Sequence, residues 1–285
     1  MIRALKEHWP EYVIEAAALG TFMVSAALFT ALLEYPDSTV HQAIPNGFLR
    51  TALNGLAMGL TAIGIIYSPW GQQSGAHMNP ALTLTFLRLG KIKPWDALFY
   101  IVGQTGGGVS GVLFAKLLLG GVIEHPSVNY VVTVPGPAGV SVAFLAETMI
   151  AGGMMLMVLS ATNTPRLARF TGLFGGMLVF LCITFESPLS GMSINPARTA
   201  ASALPSGTWT AAWIYFTAPI FGMFLAAEVY RALRGLTHLA CPKYDHGTKQ
   251  RCIFCGFPGA RTALSAGRRS ADQRADSAVR APARL

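Results

Sequence analysis

The chain has 285 residues, of which 52% are hydrophobic and only 12% charged, with a net charge of +8. A mean hydropathy of +0.47 excludes an ordinary soluble domain and predicts an all-α polytopic membrane protein. The basic residues gather in short loops and at the C-terminus with no aromatic-interleaved basic patch, so the charge suits the positive-inside rule and excludes nucleic-acid binding.

The start, MIRALKEHWPE over residues 1–11, carries charges of both signs and no small-residue cleavage site, so it is read as a cytoplasmic N-terminus without a signal peptide. A first span is expected from Tyr12 to about Leu33, interrupted only by Glu15, and a second from about Phe48 to Tyr67. Ser68-Pro69-Trp70-Gly71 then breaks the helix and leads into Ser74-Gly75-Ala76-His77-Met78-Asn79-Pro80-Ala81. Arg88, Lys91 and Lys93 place the end of this stretch at the cytoplasm. The third span, from Trp95 to about Leu119, carries Gly103, Gly107 and Gly111 at four-residue spacing, a stripe that predicts close approach of a neighbouring helix. The first repeat is thus drawn over 12–125, with an outside linker over 126–139.

The second repeat, 140–235, follows the same plan. Its first span, about Val140 to Ala161, carries Glu147 where the earlier one carries Glu15; spans from about Leu167 to Phe185 and from about Trp209 to Leu233 follow. Between them lies Ser190-Gly191-Met192-Ser193-Ile194-Asn195-Pro196-Ala197-Arg198. Asn before Pro disfavours the helical region at Asn and puts Pro at the first helical position, so Asn79 and Asn195 are expected to be N-caps. Each half-helix would be roughly ten residues, or ~15 Å, against a hydrocarbon core of ~30 Å. Three spans per half make the repeats inverted, so the half-helices dip from opposite faces. Broken backbone at membrane depth is tolerated only where it is buried in protein or lines a wet cavity, which points to transport.

The paired Asn-Pro-Ala motifs (Asn79, Pro80, Ala81; Asn195, Pro196, Ala197), with the Ser-Gly-Ala-His lead-in and Arg198, resemble the aquaporin or major intrinsic protein family. The resemblance covers Tyr12 to about Arg234 and implies an aquaporin-like fold, six transmembrane helices plus two re-entrant half-helices. It also implies a pore in each protomer of a homotetramer and passive conduction, for which no cofactor is required; an enzyme is not expected, since no paired carboxylates with a facing base, phosphate-binding glycine loop or partnered intramembrane nucleophile appears. By the same resemblance Arg198 is the filter arginine, held by loop carbonyls, and Glu15 and Glu147 brace the two loops. Gln104 would brace one of them or be an isolated polar group satisfied in the core. Matching the second motif outward puts Ile183 where water-selective members carry histidine, Met192 at the third filter position, and Met58 or Gly59 on the second span. That ambiguity arises because SPWGQQ is one residue longer than usual.

Such a filter marks a bacterial-type channel with a non-orthodox lining, for water and small uncharged solutes. The alternative is a facilitator specialised for glycerol, ammonia or a metalloid hydroxide, although Thr199 follows Arg198 where glycerol channels usually read Asp. A secondary transporter, with Glu15 or Glu147 titrating, and an occluded junction-forming protein are further readings. His77, on the pore approach, reads as a fixed structural histidine or as a pH-sensitive lining group.

The segment 236–259 holds Cys241, Cys252 and Cys255 with His246 nearby. A zinc site of these four, a redox-sensing or iron-bearing set, and plain reduced cysteines are all open readings. Residues 260–285, rich in Arg, Ala and Ser, read as a disordered basic tail suited to anionic lipid. A multi-pass protein of a bacterial inner membrane, with both termini cytoplasmic, is the expected setting.

Overall fold

The computed structural model describes residues 1–235, 241–244 and 250–257. The expected basic tail lies outside them. The helices in chain order are α1 (Ile2–Glu34), α2 (Thr39–Ala43), α3 (Gly47–Tyr67), α4 (Pro69–Ser74), α5 (Pro80–Arg88) and α6 (Pro94–Leu119). After the linker come α7 (Val140–Thr162), α8 (Thr171–Phe185), α9 (Ser187–Ser190), α10 (Pro196–Ser206) and α11 (Trp213–Arg234). Helices α1, α3, α6, α7 and α11, and α8 together with the helical turn before it (Ala168–Phe185), are long and apolar enough to cross a membrane. The half-helices α5 and α10 complete the two inverted repeats.

The first helix begins well before the span expected from Tyr12. It starts at Ile2 and runs for 33 residues, ~50 Å at the usual rise, so more than a turn extends beyond a ~30 Å hydrocarbon core. Glu11 is fully buried on this extension.

Packing follows the small residues. A Cβ on Gly107 would lie 2.0 Å from the Ala16 carbonyl oxygen, and one on Gly111 2.3 Å from that of Gly20, so α6 lies directly against α1. The second repeat does the same with α11 and α7: a Cβ on Gly222 would lie 2.2 Å from the Thr148 carbonyl oxygen. At the centre α3 meets α8 through Gly59 and Gly176, each of which would place a Cβ 2.6 Å from the other's carbonyl oxygen. Gly59 is therefore committed to helix packing, which leaves Met58 on the cavity side. The inserted residue near SPWGQQ is absorbed by α4, six residues long where its counterpart α9 has four.

Candidate functional site

Both half-helices begin as the Asn-Pro pairs predict. Asn79 and Asn195 are extended (φ −151° and −148°), each followed by Pro at the first helical position. Asn79 Oδ1 accepts from Ala81 N at 2.9 Å; Asn195 Oδ1 accepts from Ala197 N at 3.0 Å and Arg198 N at 3.2 Å. Each amide also reaches across the centre. Asn79 Nδ2 donates to the Ile194 carbonyl at 2.8 Å and Asn195 Nδ2 to the Met78 carbonyl at 2.6 Å. An amide nitrogen carries two hydrogens, so each asparagine keeps one beyond this cross-tie.

The loops leading into the caps are strained in the same way. Ala76, Met78, Met192 and Ile194 all have φ between 48° and 50°, a left-handed conformation that costs roughly 1–3 kcal/mol per residue and persists only where its surroundings over-determine it. Two buried carboxylates do so. Glu15 accepts from Ser74 Oγ (2.8 Å), His77 N (2.9 Å), Met78 N (2.7 Å) and Gln104 Nε2 (2.8 Å). Glu147 accepts from Ser190 Oγ (2.8 Å), Ser193 N (2.6 Å) and Ile194 N (2.7 Å). Gln104 is thus a brace rather than an isolated core group.

A cavity of about 520 Å³ runs past these loops, from Glu34, Thr51 and Ser187 at one face to Tyr244, Ile66 and Thr171 at the face where α1 begins. Met58, Ile183, Met192 and Arg198 all line it, as do Asn79, Asn195 and His77. Most of the remaining wall is apolar: Leu19, Phe22, Leu82, Met154, Val179 and Met223 among others. The expectation that loop carbonyls hold Arg198 is corrected: Nη1 is buried without an acceptor among the described residues. Arg198 nonetheless lines the cavity, so its positive charge stands beside the path of a polar solute. His77 is tightly held, 3% exposed, with Nδ1 3.2 Å from Thr83 Oγ1.

Sequence reasoning missed three contributors. Asn54 lines the cavity one turn before Met58, and its Oδ1 is buried without a protein donor. Tyr100 and Tyr215 donate to the Ser74 and Ser190 carbonyls at 2.8 and 2.6 Å, pinning both loops from matching helices. Their equivalent places in the two repeats were the available signal.

The family described as Major intrinsic protein matches residues 5–230. The chain belongs to this family. Among its relatives, rice aquaporin NIP1-3 (Oryza sativa subsp. japonica) is 35% identical over 63% of this chain and 61% of its own length. Aquaporin NIP6-1 of Arabidopsis thaliana is 35% identical over 68% and 60%, and aquaporin NIP2-2 of Zea mays 36% identical over 76% and 72%. The chain therefore spans about three fifths of the length of the first two. The aquaglyceroporin from Plasmodium falciparum superposes with a TM-score of 0.66 at 18% identity, covering 81% of this chain and 99% of that one. Major intrinsic protein architecture thus accounts for the six spans and two half-helices. The expected bacterial inner membrane draws no support from these relatives, which are plant proteins.

On the face of this major intrinsic protein where α1 begins, Cys241, Cys252 and Cys255 come together with all three Sγ atoms within 4.8 Å of one another. His246, the expected fourth ligand, lies outside the described residues.

Proposed function

We propose that the chain is a passive channel for water and small uncharged solutes, gated against protons and ions at the meeting point of α5 and α10. The observation that carries this reading is the pair of cross-tied asparagines in the wall of one cavity reaching from face to face. Each half-helix N-terminus carries roughly +0.5 charge. Two of them converging repel a cation, an exclusion general to aquaporin-type pores rather than peculiar to this chain. The remaining Asn79 and Asn195 amide hydrogens donate to a passing oxygen. A water so held accepts at the centre and cannot relay a proton there.

Met58, Ile183, Met192 and Arg198 form the selectivity filter in this reading. One cation among three flexible apolar side chains discriminates by size and charge more than by hydrogen-bond pattern. That favours a second reading in which glycerol, ammonia or a metalloid hydroxide also passes, and it agrees with a fold shared with an aquaglyceroporin. The basic loops put both termini in the cytoplasm, and a homotetramer in the bilayer covers the apolar outer helix faces. The three clustered thiols suit zinc, which takes thiolate ligands in tetrahedral sites; transport itself needs no cofactor.

Stopped-flow light scattering on proteoliposomes under water, glycerol and ammonia gradients tests the proposal. Downhill flux independent of pH and sodium is expected. Conductance no higher than that of empty vesicles would overturn the channel, and uphill accumulation would favour a transporter.

A further inference from the structure

The segment carrying the cysteines does not hang free of the pore. Phe254 lies face to face with the His77 ring, centroids 5.6 Å apart and planes 2° from parallel, and edge-on to Tyr100 at 5.8 Å. A Cβ on Gly75 would lie 3.5 Å from the Phe254 ring and 3.7 Å from Lys243 Cα, so the segment rests directly on the first re-entrant loop. Tyr244 enters the cavity wall itself. Tyr244 therefore stands in the mouth at the face where α1 begins, while Phe254 packs behind the wall against His77, the residue two before Asn79.

Besides the Lys243 Nζ donation to the Gln250 carbonyl at 2.9 Å, two fastenings are prominent among the described residues. Arg251 forks onto the buried Glu11 carboxylate, Nε to Oε1 at 2.8 Å and Nη2 to Oε2 at 2.7 Å, and Nη2 donates further to the Glu7 carbonyl. This explains the long extension of α1 beyond the bilayer: it carries the anchor. The other fastening is the thiol cluster. Gly256, at φ +76°, allows a tight turn in which Gly256 N donates to the Cys252 carbonyl at 3.1 Å, while Cys252 N donates to the Phe257 carbonyl at 2.8 Å. This turn brings Cys252 and Cys255 onto one point, and Cys241 Sγ meets Cys252 Sγ at 3.3 Å. Tyr244 follows Cys241 by three residues and Phe254 sits between Cys252 and Cys255, so whatever holds the three sulfurs also sets both aromatics.

We infer that Cys241, Cys252 and Cys255 bind a thiophilic divalent cation of the zinc class, and that the bound ion locks Tyr244 in the mouth, with Phe254 against His77 behind it, as a closed gate. The inference rests on the channel reading. Binding exchanges three thiol protons for the metal. With the ion removed, the sulfurs no longer tie Cys241 to the turn at Cys252–Cys255, and among the described residues the Arg251–Glu11 pair and the Lys243 bond to the Gln250 carbonyl remain. Tyr244 then leaves the wall, Phe254 leaves its place on His77, and solute flux rises. Coordination by soft sulfur ligands selects zinc-class ions over magnesium or calcium.

The test uses the full chain in phosphatidylcholine vesicles, with osmotic water permeability measured in buffered Zn²⁺ and again after a membrane-permeant chelator. Elemental analysis of the same preparations counts zinc. One zinc per chain and a several-fold rise in permeability on chelation are expected. Cys252→Ser/Cys255→Ser should lack the metal and conduct at the raised level in either buffer. Tyr244→Ala/Phe254→Ala should retain zinc and conduct at the raised level too. Zinc bound with permeability unchanged by chelation would overturn the gate. Absence of metal from the wild-type chain, or closure reproduced by a Cys241–Cys252 disulfide and insensitive to chelation, would overturn the metal lock. If the Tyr244→Ala/Phe254→Ala chain, recovered folded, conducts no faster than empty vesicles, the channel reading fails instead.

Discussion

Asn79 and Asn195 each cap their own half-helix and each donate to the other's loop, Asn79 to the Ile194 carbonyl at 2.8 Å and Asn195 to the Met78 carbonyl at 2.6 Å. The two repeats are thus joined at the centre by the same side chains that face the solute. Asn195→Asp separates these duties. Aspartate caps a helix about as well as asparagine, but it has no hydrogen to donate and sets a carboxylate beside the Met78 carbonyl. Water flux should fall several-fold and proton leak should appear, read by a trapped pH dye; proton tightness equal to wild type would contradict the barrier.

Glu147→Gln should cost stability rather than selectivity. Its carboxylate oxygens accept from Ser193 N, Ile194 N and Ser190 Oγ, and an amide turns its NH₂ towards at least one of these donors. A buried donor left without an acceptor costs roughly 1–3 kcal/mol. Thermal unfolding in detergent should shift downward, because the loop holding the left-handed Met192 and Ile194 loses its carboxylate brace.

The filter assignment is open to a substitution in the opposite sense. Ile183→His adds a hydrogen-bonding ring beside Met192 and narrows the apolar wall. The glycerol-to-water permeability ratio should drop by roughly tenfold, within the range a single pocket change commonly yields. An unchanged ratio would remove Ile183 from the filter.

Gly107→Ala tests the packing of α6 on α1 within the first repeat. The new methyl group would sit 2.0 Å from the Ala16 carbonyl oxygen, whereas at neighbouring Gly106 nothing lies within 4 Å. Overpacking of this kind costs about 1–3 kcal/mol, so Gly107→Ala should lower the folded yield and melting temperature while Gly106→Ala leaves both near wild type.

Much of this architecture was legible because membrane sequences advertise it locally. Span lengths follow from the apolar runs, half-helix starts from Asn79-Pro80 and Asn195-Pro196, and close helix contact from the Gly103, Gly107, Gly111 stripe, later seen to seat α1. Glu15 and Glu147 stood out as lone charges inside apolar runs. Tyr100 and Tyr215 carried only their equivalent places in the two repeats, and Asn54 nothing, since one polar group in a helix has no sequence signature until its partner across the bundle is known.

The sequence by itself determined the spans, the caps and the inverted duplication, all of them consequences of hydrophobic length and backbone chemistry within about ten residues. Only the tertiary structure decided that Met58 rather than Gly59 faces the cavity, because Gly59 is consumed by its contact with Gly176. It alone brought Arg251 onto Glu11 and Phe254 onto His77. These partners stand 240 and 177 residues apart, and no local rule of helix or turn formation acts over such distances. Burial of the Glu11 carboxylate and stacking of the two rings exist only once the bundle has closed.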